Sequence, residues 1–305
     1  MNKWLNSAVD NCFGEDAVLL LGLSVPRRLE REAWTNVTER VTAFFDIDGT
    51  LGWTDPVARE QLSDDERKLS PVPSSAVADA IKRFVSAGNR AFICTGRSPL
   101  DIHPKMAALP FSGMACLAGA YVKVGDTVLR DVALPPEVLA CVDEVLAETG
   151  TGALLESACG SIDVRGGAAG THQPSPGSVA EALELVPGRR AHKVVLPTPA
   201  ARLVVERLAG VVDLSIMELE LGNSEVGLRE NCKSGAVRVI LDYLGDAGTT
   251  YGFGDSENDL SLFEQVDVPV AMGNASPEVK AAAAMVTDTV GNDGVATALA
   301  KLGLI

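Results

Sequence analysis

Phe44-Phe45-Asp46-Ile47-Asp48-Gly49-Thr50-Leu51 decides the fold: an apolar strand stops in two carboxylates one residue apart, followed by a glycine turn and a hydroxyl. Side chains alternate along an extended chain, so Asp46 and Asp48 share a direction, and a turn at Gly49 bends them further toward one centre. Carboxylates held that close repel unless a cation lies between them. A hard divalent ion such as Mg2+ suits the pair, because it takes carboxylate oxygens and keeps positions for water and a substrate phosphate. One acid can then attack while its neighbour moves protons. Taken alone, the same string also describes an acidic turn closing a strand, so the rest of the chain has to decide.

Three further segments do. Ala91-Phe92-Ile93-Cys94-Thr95-Gly96-Arg97 is a second short apolar run released into a hydroxyl and a glycine, as a buried strand ending at a site would be. Tyr251-Gly252-Phe253-Gly254-Asp255-Ser256-Glu257-Asn258-Asp259 is a third, with Asp255 and Asp259 four apart and on one face of any helix that starts there. Between them, Asn231-Cys232-Lys233-Ser234-Gly235 precedes a helical pattern over 236–244. A lysine at a helix start is mildly unfavourable for the helix dipole, which favours a functional over an ordinary solvated Lys233.

These four segments, in this order, resemble the haloacid dehalogenase superfamily of aspartate-nucleophile phosphohydrolases. The long insert between Thr95 and Lys233, the Gly254-Asp255-x-x-Asn258-Asp259 form, and Ala271-Met272-Gly273-Asn274-Ala275 followed by Lys280 resemble its Cof-type, or IIB, subgroup. The resemblance covers the chain from about Val41 onward and not the first forty residues. It implies Asp46 as nucleophile, Asp48 as proton donor and acceptor, and Mg2+ held by the Asp46 carboxylate, the Asp48 carbonyl and Asp255. Thr95 and Lys233 would hold the transferring phosphoryl group, one by hydrogen bonding and one by charge. Gly96, Arg97 and Asn258 are expected to contact the substrate, with Thr50, Asp259 and Asn274 supporting them. Arg97 is equally open to a plain salt bridge, and Asn274 and Lys280 to bracing a loop.

Composition agrees with a folded enzyme: 305 residues, 47% hydrophobic and 22% charged, enough chain for a large core. A formal charge of −15 opposes nucleic acid or an anionic membrane as partner, so an anionic substrate needs a local positive site. The six cysteines, Cys12, Cys94, Cys116, Cys141, Cys159 and Cys232, form no Cys-x-x-Cys pair, which reads as reduced, buried thiols in a cytoplasmic protein. The apolar run 17–23 is far too short to span a bilayer and follows Glu15 and Asp16, so neither a signal peptide nor a membrane anchor is expected. His103, His172 and His192 share no metal-ligand spacing and read as surface or turn residues.

Strands and helices alternate as in an α/β, doubly wound parallel sheet. Strands are expected at 41–45, 90–94, 114–118, 249–253 and 268–271, and helices at 75–87, 234–244, 258–265, 277–284 and 294–301. The core is thus assigned to 41–120 and 225–305, and 1–40 to an N-terminal extension with an amphipathic helix over 28–41. Residues 121–224 are assigned to an inserted α/β cap that opens on a hairpin, 121–124 and 128–132, around Gly125-Asp126. Such an insert resembles the C2-type cap of the IIB subgroup, which closes over the site and reads the leaving group. Arg165, Arg189, Arg190 and Lys193 are the candidates there for a second anionic or polar group, although surface charge accounts for them equally.

Two features depart from the family pattern. Ala118-Gly119-Ala120 stands where Cof-like chains often carry Asn-Gly-Ala, and the stretch 53–68 with Asp64-Asp65-Glu66 is longer than usual and reads as a solvated surface loop. The expected activity is Mg2+-dependent hydrolysis of a small phosphate monoester, a phosphorylated sugar ahead of a nucleotide or polyol phosphate. A phosphomutase would share Asp46 and Asp48. A metal-dependent glycosyltransferase explains Asp-x-Asp but not Thr95, Lys233 and Asp255, and the intact acid pair argues against a binding module without turnover. Monomer and dimer are both left open.

Overall fold

The computed structural model describes residues 40–167, 175–219 and 222–305. The N-terminal extension and the helix expected over 28–41 lie, up to residue 39, outside the described residues, as do Cys12 and His172.

Thirteen strands are described: β1 Val41–Phe45, β2 Arg90–Cys94, β3 Gly113–Cys116, β4 Tyr121–Val124, β5 Thr127–Asp131, β6 Ala153–Ser157, β7 Gly160–Val164, β8 Lys193–Pro197, β9 Leu214–Glu218, β10 Asn223–Leu228, β11 Thr249–Gly254, β12 Val268–Ala271 and β13 Met285–Val286. They form an eight-stranded sheet in the order β13-β12-β11-β1-β2-β3-β4-β5 and a five-stranded sheet in the order β7-β6-β8-β10-β9. From β13 to β3 every pairing in the larger sheet is parallel. Parallel strands buried on both faces read as unbroken apolar runs, and β1 is buried at all five residues. Its neighbouring phenylalanines point to opposite faces: Phe44 stacks on Phe92 at 5.4 Å, and Phe45 on Phe253 at 4.7 Å, each in a separate hydrophobic cluster. The smaller sheet has its own core, built on Val142, Leu155, Val194 and Val204.

The hairpin assigned to the insert does not belong there. β4 pairs antiparallel with β3 and β5 with β4, so both extend the larger sheet at its edge. Alternation and a Gly-Asp turn identify a hairpin but not the edge it joins. At the other end, β10 lies in the smaller sheet between β8 and β9, so the insert runs on to Leu228 rather than ending at 224.

The stretch 53–68 also differs from the solvated loop expected of it. It carries two short helices, Pro56–Glu60 and Asp64–Leu69, the second opened by a capping box in which Ser63 and Glu66 each bond the other's backbone N–H. Residues 64–66 form that helix's first turn, with Glu66 as its capping acid. No helix among the described residues is long and apolar enough to cross a membrane. The five described cysteines are unbridged, and Cys94 and Cys116 are fully buried, burial pushing the Cys94 thiol up to about 12. Cys159 is exposed, against expectation.

Candidate active site

The three motif strands β11, β1 and β2 are neighbours, so their carboxyl ends put Asp255, Asp46 and Thr95 side by side, as ligand sites in open α/β sheets are built. The turn after β1 makes the approach possible. Gly49 sits at φ +74°, and a Cβ there would lie 2.2 Å from Asp255 Oδ2, so no other residue lets the loop come so close.

Lys233 is the first residue of helix Lys233–Leu244 and is 3% exposed. Its ammonium donates to Asp46 Oδ1 at 2.7 Å and to Asp259 Oδ1 at 2.6 Å. Burial works against its charge, but Asp259 and Asp46 outweigh that and raise its pKa, so it stays cationic. Asp259 closes a 3-10 turn, Glu257–Asp259, rather than lying inside the helix expected over 258–265; the α-helix itself covers Leu260–Phe263. Its second oxygen accepts the N–H groups of Asp255 at 2.9 Å and Ser256 at 3.1 Å. With both oxygens engaged and the side chain sealed from solvent, Asp259 orients Lys233 and the following turn.

Asp46, Asp255 and Asp259 offer oxygens within 4.8 Å of one another. Since Asp259 is engaged, Asp46 and Asp255 are the acids with capacity left for a cation. Asp46 is 5% exposed, and burial, reinforced by Asp259 and Asp48 and opposed by Lys233, holds its pKa above the ordinary carboxylate range. Burial and Asp259 push Asp255 up to about 6, against Lys233 and the Thr50 hydroxyl. Crowded hard oxygen donors whose charge is disfavoured without a counter-ion fit a divalent metal of the magnesium kind. Thr50 reaches Asp255 Oδ1 at 3.4 Å, and Asn274 donates to Asp255 Oδ2 at 3.1 Å and to the Gly49 carbonyl at 2.9 Å, fixing the acid to the turn.

Asp48 is gripped by both arms of Arg97, Nε to Oδ2 and Nη2 to Oδ1, each at 2.6 Å, while Arg97 also donates to the carbonyls of Ser70 and Asp101. Of the two readings open to Arg97, the salt bridge is the contact it makes here; the same residue lines the cavity. Thr95, 1% exposed, accepts the Arg97 N–H through its hydroxyl at 3.2 Å. Asn258 accepts from Ser256 at 2.9 Å. Asp46, Asp48, Thr95, Gly96, Arg97, Asp255 and Asn258 all line one cavity of about 710 Å3, roofed by the smaller sheet. Lys280 is not among its lining residues.

Of the four cap cations named from the sequence, only Lys193 reaches this cavity. Arg190 pairs with Asp131 and Arg189 with Glu184, and Arg165 lies outside the lining. Glu156, Glu225, Ser161, Asp101 and Ser256 line the cavity without having been singled out. A signal for one of them is present: Glu156, with Leu154, is on the less buried face of a strand whose other residues, Ala153, Leu155 and Ser157, are buried. His103 caps a helix by accepting the Lys105 N–H, and His192 is buried against Asp131 at 2.6 Å.

Ala118, in place of the family's asparagine, has φ +54° and Gly119 follows at +101°, where a Cβ would meet the Cys232 carbonyl at 2.4 Å. This turn packs directly against the start of the Lys233 helix.

A family model for haloacid dehalogenase-like hydrolases matches residues 43–162 and 206–299, more than half of the chain. The Bacillus subtilis protein named "Putative phosphatase YkrA" is 25% identical over 279 residues, covering 86% of this chain and 97% of its own length. Among solved structures, phosphatase BT1666 from Bacteroides thetaiotaomicron aligns with a TM-score of 0.69 at 25% identity, over 90% of this chain and all of its own. The subclass IIB sugar phosphatase BT4131 shares the fold with a TM-score of 0.67 at 22% identity, over 87% of this chain and all of its own. An acid-lined site at the carboxyl ends of parallel strands, a second sheet above it and a family match across both together assign the molecule: the chain belongs to the haloacid dehalogenase-like hydrolases, with the Cof-type, IIB architecture, and is an enzyme of the phosphatase class.

Proposed function

We propose that the protein hydrolyses a small phosphate monoester, a phosphorylated sugar, through an aspartyl-phosphate on Asp46 with Mg2+ as cofactor. The observation that carries the reading is Lys233, buried and cationic between Asp46 and Asp259, with Asp255 beside them. Lys233 fixes one oxygen of Asp46, while the other carries no hydrogen bond from the described residues and is the one available to attack phosphorus. Bond formation from that oxygen breaks the bond from phosphorus to the leaving oxygen, and Asp48 supplies the leaving oxygen with its proton. Water then attacks the aspartyl-phosphate, giving its proton to Asp48 and releasing inorganic phosphate and Asp46.

The Asp46 carboxylate, the Asp48 carbonyl and Asp255 would hold the metal, which when bound supplies positive charge to the phosphate oxygens and relieves repulsion among the acids. Thr95 and Lys233 would bind those oxygens during transfer, with Gly96 and Asn258 beside them. For Asp48 to handle a proton, the fork of Arg97 must release at least one of its oxygens, so Arg97 is a holder of Asp48 in the resting state.

Phosphate release from a panel of phosphorylated metabolites with Mg2+, comparing wild type with Asp46→Asn, tests the reading. Release that depends on Mg2+ and disappears in the variant is expected. Release that survives the substitution unchanged would refute Asp46 as nucleophile.

A further inference from the structure

We propose that Glu156, Lys193 and Glu225 on the smaller sheet form the specificity element of the cavity, accepting an uncharged, hydroxyl-bearing leaving group and rejecting one with a second anionic group. The inference rests on the phosphatase reading of the site below and adds the chemistry of what the phosphate is attached to.

The three residues face the cavity because of sheet register. Glu156 on β6 lies directly opposite Lys193 on β8, and Glu225 on β10 is opposite Val195, one step along the same face. Position 227, which faces Lys193 across the other pairing, is glycine and leaves the ammonium room. Lys193 Nζ lies 2.5 Å from Glu225 Oε2 and 2.9 Å from Glu156 Oε2. The set is nearly sealed, with side-chain exposure of 6% for the lysine and 12% for each glutamate. It also reaches the floor of the cavity: a Cβ on Gly96 would stand 4.0 Å from Lys193 Nζ.

Two consequences follow from charge and hydrogen-bond arithmetic. A lone lysine in a cap would invite a second phosphate or a carboxylate. This one is neutralised twice over, the set is net negative, and Asp48, Asp101 and Asp255 line the same cavity. An added anion would meet carboxylates in a partly dry space, where like-charge repulsion is larger than in water. In addition, Glu156 Oε2 is buried and meets only the Lys193 ammonium, 2.9 Å away and poorly aligned for a hydrogen bond. A carboxylate oxygen has lone pairs for more than one donor, and a substrate hydroxyl can supply a better-aligned one. Phosphate dianions and carboxylates have only acceptors to offer there, and a substrate ammonium would meet the Lys193 charge. Leu154, Val195 and Met217 complete the wall with apolar contacts of the kind a sugar ring's C–H face can use.

The experiment compares kcat/KM on matched pairs with Mg2+: glucose 6-phosphate with glucose 1,6-bisphosphate, fructose 6-phosphate with fructose 1,6-bisphosphate, and ribose 5-phosphate with ribose 1,5-bisphosphate. For wild type, the best monophosphate is expected to exceed its bisphosphate by about tenfold or more, the scale of one charge contact in a semi-buried site. Glu156→Gln and Glu225→Gln each remove one negative charge at nearly constant shape and unmask the lysine, so each should raise the bisphosphate-to-monophosphate ratio by roughly tenfold. Raising the salt concentration should narrow the wild-type preference, a readout that needs no variant and stays decisive if a substitution unfolds the cap. Equal wild-type rates on both members of every pair, or ratios unmoved by both substitutions, would overturn the assignment. p-Nitrophenyl phosphate separates the two levels: its hydrolysis by wild type together with absent discrimination sinks only the specificity element, whereas no hydrolysis with Mg2+ sinks the phosphatase reading beneath it.

Discussion

Two lysines in this molecule are each buried between two carboxylates, one under the larger sheet's strand ends and one on the face of the smaller sheet, and their surroundings differ. Lys233 sits between Asp46 and Asp259, with Asp259 further tied by two backbone N–H groups and Asp255 beside it. Lys193 sits between Glu156 and Glu225, whose carboxylates accept no such backbone bonds among the described residues and share their surface with leucine, valine and methionine. The first set therefore concentrates more negative charge than one lysine offsets, and Asp46 keeps an oxygen free at a strand end: a place for a metal and a reacting phosphoryl group. The second balances most of its charge locally and presents an acceptor to whatever lies beneath. Similar pairs of contacts become machinery for reaction or for recognition according to what surrounds them.

The sharpest way to break this contrast is Asp46→Asn, which keeps shape and burial but removes the attacking charge. Turnover in a phosphate-release assay should fall at least about a thousandfold, as removal of a nucleophile does. Activity within tenfold of wild type would end the distinction between a reacting and a recognising cluster.

Stability should separate the two lysines next. Lys233→Met leaves Asp46 and Asp259 buried without their cation, and breaking a buried pair in this way costs on the order of 3–5 kcal/mol. Lys193→Met strands two glutamates that are slightly more open, and a smaller loss is expected from denaturant titration. Equal losses would mean that the deeper burial of Asp46 and Asp259 adds nothing to the cost of stranding them.

Metal should act on the first cluster alone, whereas pH also reaches the second through Glu156, whose pKa burial raises. Asp46 and Asp255 have folded-state pKa values raised above their unfolded ones, the latter to about 6, so in the metal-free protein the folded form binds more protons than the unfolded chain between the two values. Stability from these groups is therefore present at acid pH and is lost as pH rises from about 4 through 6 and beyond. A divalent ion competes with those protons. The stabilisation by Mg2+, followed as the rise in Tm, should grow from pH 5 to pH 8 and approach about 2.7 kcal/mol at a hundredfold excess over Kd. An Mg2+ effect that shrinks over this range, or one abolished by Glu156→Gln rather than by Asp255→Asn, would move the metal away from the strand ends.

The smallest expected effect concerns the turn that braces Lys233. Ala118 occupies the left-handed region, where asparagine is better tolerated than alanine. Ala118→Asn should raise stability by about 0.5–1 kcal/mol, a Tm gain of a few degrees. A loss would show that the side chain at 118 collides with the helix it supports.

The first cluster is legible in the sequence, whereas of the second only Lys193 is, and then as one of four candidate cations, for a physical reason. Asp46, Thr95, Lys233 and Asp255 sit where strands and helices end, and each comes with neighbours that the geometry demands, such as the glycine at 49 or the serine at 256 that opens the turn to Asp259. Glu156, Lys193 and Glu225 sit within strands, on one face, brought together only by register between β6, β8 and β10. A charged residue at every second position also describes an exposed strand face. The hairpin 121–132 was visible as a hairpin, but which sheet it extends depends on β3 having a free edge, which local sequence does not encode. The capping box from Ser63 to Glu66 is spelled out by Ser-x-x-Glu, but an acidic run describes a solvated loop equally well.

The nearness of Lys193 to Gly96 sets how far the upper sheet can descend. Position 96 has only hydrogen, and a methyl group there would already touch the ammonium. Anything longer would act as a doorstop, propping the two halves ajar and admitting bulk solvent to the acids below. The bare backbone at that point is thus a clearance tolerance for the whole enclosure, fixed in the same loop that presents Thr95.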